Sequence, residues 1–429
     1  MDRTLHVYID AAKVGTLTGK DNGDYIFAYH AGWLGSRTPI PLSLSLPLQP
    51  EPFTPELSKA FFANLLPEGQ LRDHFASKFR LSADDDFGLL AALGGDCAGA
   101  LALYPGGPEF SLESKPLSYK PLTEDDLGKL LDEAYIMDPS FLGEDERTRL
   151  SLAGVQDKLP VAIFGDTISL PLDGSPSTHI LKPPNHRFPT LVENEAFCMT
   201  LARAMGLTVP AVSLRQIRDG ESVYLVARYD RSVGKDGQIS RIHQEDFCQA
   251  TGTSYRLKYE EKGGPGFQAC FQVVGRCRNP LADRIKLVEL AIFNYLIGNA
   301  DSHAKNVSLL YDSGPNPSLA PCYDLVCTGI YNLSRQMAMG IGGVYDPRDV
   351  DAQAWADFAE QAGIRSPKPV MAALTRMAGA ISGIAVQTAK GMIARYGDNR
   401  VYGQIIEVIE QRAAVVLRQG DRTPAFAQR

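Results

Sequence analysis

An aspartate, an asparagine and a second aspartate stand at a spacing that is typical of phosphotransfer sites. Asp301 precedes Asn306 by five residues, and Asp324 follows shortly afterwards in a Tyr-Asp pair. In kinases the first aspartate accepts the hydroxyl proton of the substrate, while the asparagine and the later aspartate bind Mg²⁺ on the ATP phosphates. The spacing therefore predicts a catalytic base at Asp301 and metal ligands at Asn306 and Asp324.

The same residues also have an ordinary structural interpretation. Asp301 could cap or turn the loop after an apolar helix that ends near Ile297, and Asn306 could form an Asx turn. The segment alone does not decide between the two interpretations, so a second signal is needed.

A short glycine-containing segment upstream could bind the phosphates of a nucleotide. Residues 151–159 contain Gly154 and Lys158 and precede a strand-like run at residues 161–164. A loop of this kind between strands can direct backbone N–H groups and an ammonium group onto phosphate oxygens. Lys158 could equally be a solvated lysine at the end of a strand.

Lys182 and Glu195 complete the order of functional residues found in kinases. Lys182 ends a second strand-like run, where it could grip the ATP phosphates, and Glu195 opens a helical pattern, where its carboxylate could orient Lys182. Taken singly, Lys182 could be solvated and Glu195 could merely favour a helix N-terminus. The order lysine, glutamate, aspartate, asparagine, aspartate favours a kinase.

Short motifs spread over nearly the whole chain resemble those of the HipA toxin kinases. They are Ser-x-Ala-Gly-x-Gln-x-Lys at 151–158, Thr-His-Ile-x-Lys at 178–182, Asn-Glu at 194–195, Arg-Tyr-Asp-Arg at 228–231, Gln-Glu-Asp-x-Cys-Gln at 244–249, Gly-Gly-Pro-Gly at 263–266, Leu-Ile-Gly-x-x-Asp-x-His-Ala-Lys-Asn at 296–306 and Pro-x-Tyr-Asp at 321–324. Residues 94–100, Gly-Gly-Asp-Cys-Ala-Gly-Ala, end a mixed strand and helix region that resembles the small N-terminal subdomain of the family.

The resemblance implies a two-lobed, protein-kinase-like α+β fold with a small mixed α/β N-terminal subdomain and a mostly helical C-terminal lobe. We expect the N-terminal subdomain at residues 1–105, and a linker with a lead-in helix at 106–150. An ATP-binding region at 151–230 and a helical lobe with the catalytic and metal-binding loops at 231–429 should follow.

The family consists of bacterial serine/threonine kinases that act as toxins, arrest growth and promote persistence. By resemblance, the expected partners are a HipB-like helix-turn-helix antitoxin, operator DNA reached mainly through that antitoxin, and a protein substrate. Glutamyl-tRNA synthetase is the target that the resemblance suggests. The expected cofactors are ATP and Mg²⁺.

The resemblance also assigns roles to individual residues. Asp301 is the expected base, Asn306 and Asp324 are the expected Mg²⁺ ligands, and Glu195 is the candidate that orients the lysine. The expected ATP-binding residues are Ala153, Gly154, Val155, Gln156, Asp157, Lys158, Lys182, Ala227, Arg228, Tyr229, His303, Ala304, Lys305, Asn306, Tyr323 and Asp324. Among them, residues 153–158 would form the phosphate loop, and the backbone of residues 227–229 would meet adenine.

Ser151 matches the serine that these kinases phosphorylate on themselves. A phosphoserine adds roughly 1.5 to 2 negative charges. At the mouth of the phosphate loop this charge would be repelled by the ATP phosphates, so autophosphorylation is expected to switch the kinase off. The simpler interpretation of Ser151 is a polar residue before a turn.

The sequence departs from the ordinary protein-kinase motifs. Gly154 stands alone where those kinases have a glycine-rich loop, Ala300 precedes the aspartate, and Tyr323-Asp324-Leu325 replaces Asp-Phe-Gly. These motifs alone also allow a lipid, sugar or antibiotic kinase, and only the resemblance favours a protein substrate. A further alternative is a pseudokinase that binds ATP and co-regulates transcription, although the base, the lysine and the metal ligands are all present.

Composition predicts a cytoplasmic globular enzyme. The 429 residues allow about two or three domains, with 44% hydrophobic and 22% charged residues. The start of the chain lacks a signal pattern and no apolar run reaches the roughly 18 residues of a membrane span, so we expect neither secretion nor membrane insertion. The net charge of −7 argues against a general nucleic-acid-binding surface. Seven cysteines without a Cys-x-x-Cys pair predict reduced, mostly buried thiols.

Sequence patterns predict the main elements. Strands are expected at residues 5–9, 25–29 and near 100–104, a helical stretch at 57–79, a linker at 104–121 and a short helix at 125–135. Strands should then alternate with one helix to about residue 228. Beyond that point helices should dominate, at residues 283–297, 352–361, 370–395 and 405–417.

Overall fold

The computed structural model describes residues 3–20, 22–105, 117–129, 158–185, 187–217, 221–235 and 237–421. The chain divides into two units, each assembled from separate stretches of sequence. The first unit comprises Met1–Pro184, Ile217–Arg256 and Ser308–Ala320, and the second comprises Asn185–Gln216, Leu257–Val307 and Pro321–Arg429.

Strands and helices are numbered in chain order. The strands are β1 (Arg3–Ile9), β2 (Ala12–Gly19), β3 (Tyr25–Tyr29), β4 (Leu101–Pro105), β5 (Ser118–Pro121), β6 (Leu159–Phe164), β7 (Thr167–Leu172), β8 (His179–Lys182), β9 (Val212–Gln216), β10 (Ser222–Ala227), β11 (Arg231–Val233), β12 (Ile239–Arg241), β13 (His243–Asp246), β14 (Ser308–Tyr311) and β15 (Ser318–Leu319). The helices are α1 (Ala31–Leu34), α2 (Pro55–Phe62), α3 (Gly69–Lys78), α4 (Asp86–Leu93), α5 (Glu124–Lys129), α6 (Leu191–Ala204), α7 (Phe247–Thr251), α8 (Phe267–Val274), α9 (Pro280–Ile297), α10 (Ala352–Gln361), α11 (Lys368–Tyr396) and α12 (Arg400–Asp421).

The two units do not follow the single boundary expected at residue 230. The first unit takes β11 to β15 from the part of the chain that was expected to form the helical lobe. The second unit takes α6 and β9 from the part expected to bind ATP. The chain passes between the units several times, and a boundary drawn at one point cannot represent this.

An antiparallel sheet in the order β3-β2-β1-β4 forms the N-terminal part of the first unit. Alternate residues face the core, including Leu5 and Val7 of β1 and Tyr25 and Phe27 of β3. The strands predicted at residues 5–9, 25–29 and 100–104 are confirmed. The sequence analysis does not predict β2, because its glycines and threonines weaken the apolar alternation.

The prediction of one continuous helix at residues 57–79 is wrong, because the helix is interrupted. α2 ends at Phe62 and α3 begins at Gly69. Between them, Leu66 has an extended backbone with φ −85° and ψ 154°. Leu66 precedes Pro67, and a proline both lacks the N–H of a helix and disfavours helical geometry in the residue before it.

A second sheet of the first unit contains β5, β7, β6, β8 and β10 as neighbours in that order. β5 pairs with β7, and Ser118 lies opposite Leu172. The linker predicted at residues 104–121 is therefore wrong at its C-terminal end, where Ser118–Pro121 form a strand. The short helix predicted at residues 125–135 begins at Glu124, and its continuation beyond Lys129 lies outside the described residues.

Helices dominate the second unit. The helices predicted at residues 283–297, 352–361, 370–395 and 405–417 are confirmed by α9 to α12. α11 packs against α6, α9, α10 and α12 and buries Leu374, Met377 and Ile381. Its length and mean hydropathy of 1.4 over 18 residues would also allow it to cross a membrane, which corrects the expectation that no stretch is apolar enough. Core helices of globular proteins meet the same criterion.

All seven cysteines are buried and none forms a disulfide, so the predicted burial is confirmed and the reduced state stays a prediction. Burial raises the pKa of the Cys322 and Cys327 thiols to about 12. These side chains therefore behave as small apolar groups in the interior.

A buried cluster of charged side chains joins distant parts of the first unit. Oδ1 of Asp96, in the loop after α4, accepts a hydrogen bond from Arg231 at 2.8 Å, and Oδ2 accepts one from the Ser177 hydroxyl at 2.8 Å. Asp230 accepts two hydrogen bonds from Arg228, at 2.9 and 2.7 Å. The four charged side chains are at most 4% exposed.

Ion pairing keeps both carboxyl groups of the cluster ionised. Burial by itself raises the pKa of Asp96, but the charges of Arg231, Arg228 and Arg241 outweigh burial and hold that pKa well below its usual value. The same balance lowers the pKa of Asp230. The cluster is therefore fully charged at neutral pH.

Asp96→Asn is expected to lower the free energy of unfolding by about 3–5 kcal/mol, because buried arginines lose their counter-charge. Asp24→Asn is the matched control, since it breaks a partly exposed pair with Lys59 and should lower the free energy of unfolding clearly less. Urea unfolding of the purified proteins compares the two losses. Equal losses would contradict a central role of the cluster.

Candidate active site

The loop that carries Asp301 begins where α9 ends. Gly298 has φ 70°, a left-handed conformation that glycine adopts readily and that ends the helix. Nδ2 of Asn299 donates to Oδ1 of Asn294 at 2.9 Å, and Oδ1 of Asn299 accepts from the N–H of Asp301 at 3.1 Å. The side chain that forms the turn after the helix is therefore Asn299, and not Asp301 as the ordinary structural interpretation of the sequence would have it. Asp301 itself is exposed.

A second loop carries Tyr323 and Asp324. The Tyr323 hydroxyl donates to the carbonyl oxygen of Lys305 at 2.7 Å. This hydrogen bond joins the second loop to residues 301–306, the predicted catalytic loop. Asp324 has φ 57°, a left-handed conformation that aspartate adopts more readily than most other residues and that Asp10 and Asp173 also adopt.

Asn306 is oriented by the catalytic loop. Its Nδ2 donates to the carbonyl oxygen of Asp301 at 3.1 Å, so the carboxamide oxygen is the atom suited to a cation. Within the described ranges, no group of three or more His, Cys, Asp and Glu side chains forms a metal site. One amide and one carboxylate fit Mg²⁺, which usually binds few protein ligands together with substrate phosphates.

Two further side chains fix the loops. Oγ1 of Thr328 donates to the carbonyl oxygen of Gly298 at 3.0 Å and accepts from the N–H of Ala300 at 2.8 Å. Asn194 on α6 donates to the carbonyl oxygen of Cys327 at 3.0 Å and accepts from its N–H at 2.9 Å. The sequence analysis gives neither side chain a role, although Asn194 belongs to the Asn-Glu motif.

Tyr259 also reaches the catalytic loop, and the sequence analysis misses it. Its hydroxyl donates to Oδ1 of Asp301 at 2.9 Å. Its ring meets His303 edge-on, with ring centres 5.3 Å apart. The available signal was its position just before the Gly-Gly-Pro-Gly motif.

The predicted phosphate lysine lies in the first unit. Lys182 ends β8 opposite Tyr224 of β10 and is 5% exposed. Its Nζ lies 5.8 Å from the centre of the Tyr224 ring, which can stabilise the ammonium group. Glu195 is buried in the second turn of α6 rather than at its start, and it lies in the second unit. Its pairing with Lys182 stays a prediction.

The segment expected to meet adenine follows β10. The N–H of Arg228 donates to the carbonyl oxygen of Thr178 at 2.9 Å, and its guanidinium group belongs to the buried cluster. This N–H is therefore engaged within the protein. The predicted contacts with adenine are therefore the carbonyl groups of residues 227–229 and the backbone of Ala227 and Tyr229.

Of the predicted phosphate loop, only Lys158 lies among the described residues. Ser151 and residues 153–157 lie outside the described residues, and Lys158 directly precedes β6. In the catalytic loop, His303, Ala304 and Lys305 are buried. The structure thus brings residues 301–306 together with residues 323–324, while Lys182 and Lys158 lie in the other unit.

The class of the protein, a kinase-like α+β fold, follows from its likeness to a solved structure. A solved complex of Shewanella oneidensis HipA, HipB and operator DNA contains a chain that matches this one with a TM-score of 0.80 and 28% identity, over 97% of each chain. This likeness confirms the predicted fold class.

The chain belongs to the HipA family. The HipA N-terminal domain matches residues 5–104, and the HipA-like C-terminal domain matches residues 150–385. The putative kinase Y4mE of Sinorhizobium fredii is 45% identical over 370 residues, which cover 85% of this chain and 87% of that relative. The serine/threonine-protein kinase toxin HipA of Shewanella oneidensis is 31% identical over 393 residues, which cover 87% of each.

Thr328→Val is expected to lower the free energy of unfolding by about 1–3 kcal/mol, because the N–H of Ala300 loses its acceptor while the side-chain shape is kept. Thr328→Ser retains the hydroxyl and should lose clearly less. Chemical denaturation of the three proteins measures the difference. A Thr328→Val protein as stable as the wild type would contradict a role of these hydrogen bonds in holding the loops.

Proposed function

We propose that this protein is an ATP- and Mg²⁺-dependent serine/threonine protein kinase that acts as the toxin of a toxin–antitoxin pair. The observation that carries the proposal is the hydrogen bond from the Tyr323 hydroxyl to the Lys305 carbonyl oxygen, at 2.7 Å. It links the two short segments that carry the proposed base and metal ligands. Membership of the HipA family supports phosphoryl transfer as the reaction.

Asp301 is the proposed general base. Its carboxylate accepts the proton of the acceptor hydroxyl as the hydroxyl oxygen bonds to the terminal phosphorus of ATP. The bond from that phosphorus to the bridging oxygen breaks, and ADP leaves with the electron pair. The exposure of Asp301 supports this role, because an acceptor side chain can reach it from solvent. Proton transfer to a positioned side chain typically contributes about 10² to 10⁴ in rate.

Asn306 and Asp324 are the proposed Mg²⁺ ligands. Mg²⁺ held by these two side chains would supply positive charge that offsets the charge of the phosphates during transfer. Lys182, Lys158 and the loop at residues 153–157 bind the phosphates in this scheme, and Glu195 orients Lys182. The remaining nucleotide contacts come from His303, Ala304, Lys305 and Tyr323 and from the backbone of residues 227–229.

Ser151 is the proposed site of autophosphorylation. The added phosphate, with roughly 1.5 to 2 negative charges, would repel the phosphates of ATP at the mouth of the phosphate loop. Self-modification would therefore lower ATP binding and end the toxic activity.

The proposed partners follow from family membership. The Shewanella oneidensis relative was solved with HipB and operator DNA, which supports a helix-turn-helix antitoxin as the neutralising partner. The net charge of −7 favours contact with DNA mainly through that antitoxin. The substrate is a cytoplasmic protein, for which the family suggests glutamyl-tRNA synthetase, and its modification would arrest growth and promote persistence.

The proposal is tested by incubating the wild type, Asp301→Asn and Asp398→Asn with Mg²⁺ and ATP labelled on its terminal phosphate, and by mapping the labelled peptide. Asp398 is exposed and lies just after α11, so its substitution is the matched control. We expect label on Ser151 in the wild type and the control. Asp301→Asn should label at least about 100-fold more slowly.

Two results would contradict the proposal. Absence of label in every protein, with ATP binding intact and Ser151 unmodified at the start, would favour a pseudokinase that regulates transcription. Label that enters only metabolites, in a panel of protein and small-molecule acceptors, would favour a small-molecule kinase.

A further inference from the structure

Tyr259 donates its hydroxyl proton to Oδ1 of Asp301 at 2.9 Å, and nothing in the proposed reaction yet uses this contact. We propose that Tyr259 is a positioning residue, whose hydroxyl holds the Asp301 carboxylate in the orientation that receives the proton of the acceptor. The inference rests on the proposed function, in which Asp301 is the base.

Backbone contacts connect Tyr259 to the catalytic loop. The N–H of Glu260 donates to the carbonyl oxygen of Ala338 at 3.1 Å, and the N–H of Ala338 donates to the carbonyl oxygen of Ala300 at 2.8 Å. Ala338 therefore bridges the residue after Tyr259 and the residue before Asp301. The carboxylate of Glu260 adds a second attachment by accepting from the N–H of Gly340 at 2.8 Å.

The Gly-Gly-Pro-Gly motif forms the turn that holds Tyr259 from the other side. The N–H groups of Lys262 and Gly264 both donate to the carbonyl oxygen of Tyr259 at 3.0 Å. Gly263 has φ 86°, and a Cβ on Gly264 would lie 1.9 Å from the carbonyl oxygen of Leu257. Only glycine fits at Gly264, so this motif serves to fix Tyr259.

The ring of Tyr259 is also held. His303 meets it edge-on, and the ammonium groups of Lys258 and Lys262 lie 5.6 and 5.4 Å from the ring centre. A hydroxyl on a fixed ring restricts rotation of the carboxylate that it binds, and hydrogen bonds to an ionised acceptor are about twice as strong as neutral ones. Orientation of Asp301 is thus established before the acceptor arrives.

The test is the rate of Ser151 labelling as a function of ATP concentration in Tyr259→Phe. Phenylalanine keeps the ring that packs on His303 and removes only the hydroxyl. We expect the maximum rate to fall about tenfold, with an unchanged half-saturating ATP concentration and an unchanged melting temperature. Tyr119→Phe is the matched control and should label at the wild-type rate, because its hydroxyl donates to the carbonyl oxygen of Pro176, at 3.1 Å, in the other unit.

An unchanged or higher maximum rate in Tyr259→Phe would overturn the inference. A change confined to the half-saturating ATP concentration, or an equal loss of rate in Tyr119→Phe, would overturn it as well. All of these results require a wild type that labels Ser151. A wild type without label would overturn the proposed function and the inference together, so the two failures are distinguishable.

Discussion

Two buried aspartates, Asp96 and Asp230, constrain how the first unit can be assembled. A buried charge without its partner costs several kcal/mol, so the loop after α4, the end of β10 and the arginines must come together. The family match places Asp96 in the N-terminal domain and Asp230 in the C-terminal domain. The N-terminal domain is therefore part of the support for residues 227–229, which are expected to meet adenine.

In the second unit, hydrogen bonds between uncharged groups, rather than ion pairs, join segments that are distant in the chain. Thr328, Tyr323 and Asn194 each satisfy backbone groups that helix ends and loops would otherwise leave unpaired. These hydrogen bonds join the two loops to each other and to α6. Asp324, directly after Tyr323, has a left-handed backbone with φ 57°.

The residues of the candidate site could be proposed from the sequence because their spacing is local. Asp301, Asn306 and Asp324 lie in two short segments, and long apolar periodicity identified α9 to α12. Tyr259, Thr328 and the Asp96 cluster could not be assigned in this way, since each acts through contacts with residues distant in the chain. Asp96 and Arg231, for example, are 135 residues apart.

Other differences have local causes. Pro67 interrupts the helix predicted at residues 57–79. The sequence analysis missed this break because the apolar pattern is present on both sides of the proline. Strands β11 to β15 are two to four residues long, which is too short for alternation to distinguish them from loops. The division into two units depends on which segments pack together, and no single stretch of sequence records it.

The central claim is that the two joined loops divide the chemistry, with proton transfer at Asp301 and metal binding at Asn306 and Asp324. The most direct measurement is the binding of Mn²⁺, in place of Mg²⁺, with a non-hydrolysable ATP analogue to the wild type, Asp301→Asn and Asp324→Asn. We expect Asp301→Asn to bind the metal as the wild type does, and Asp324→Asn to bind at least about tenfold more weakly. Loss of metal binding in Asp301→Asn with full binding in Asp324→Asn would contradict the account.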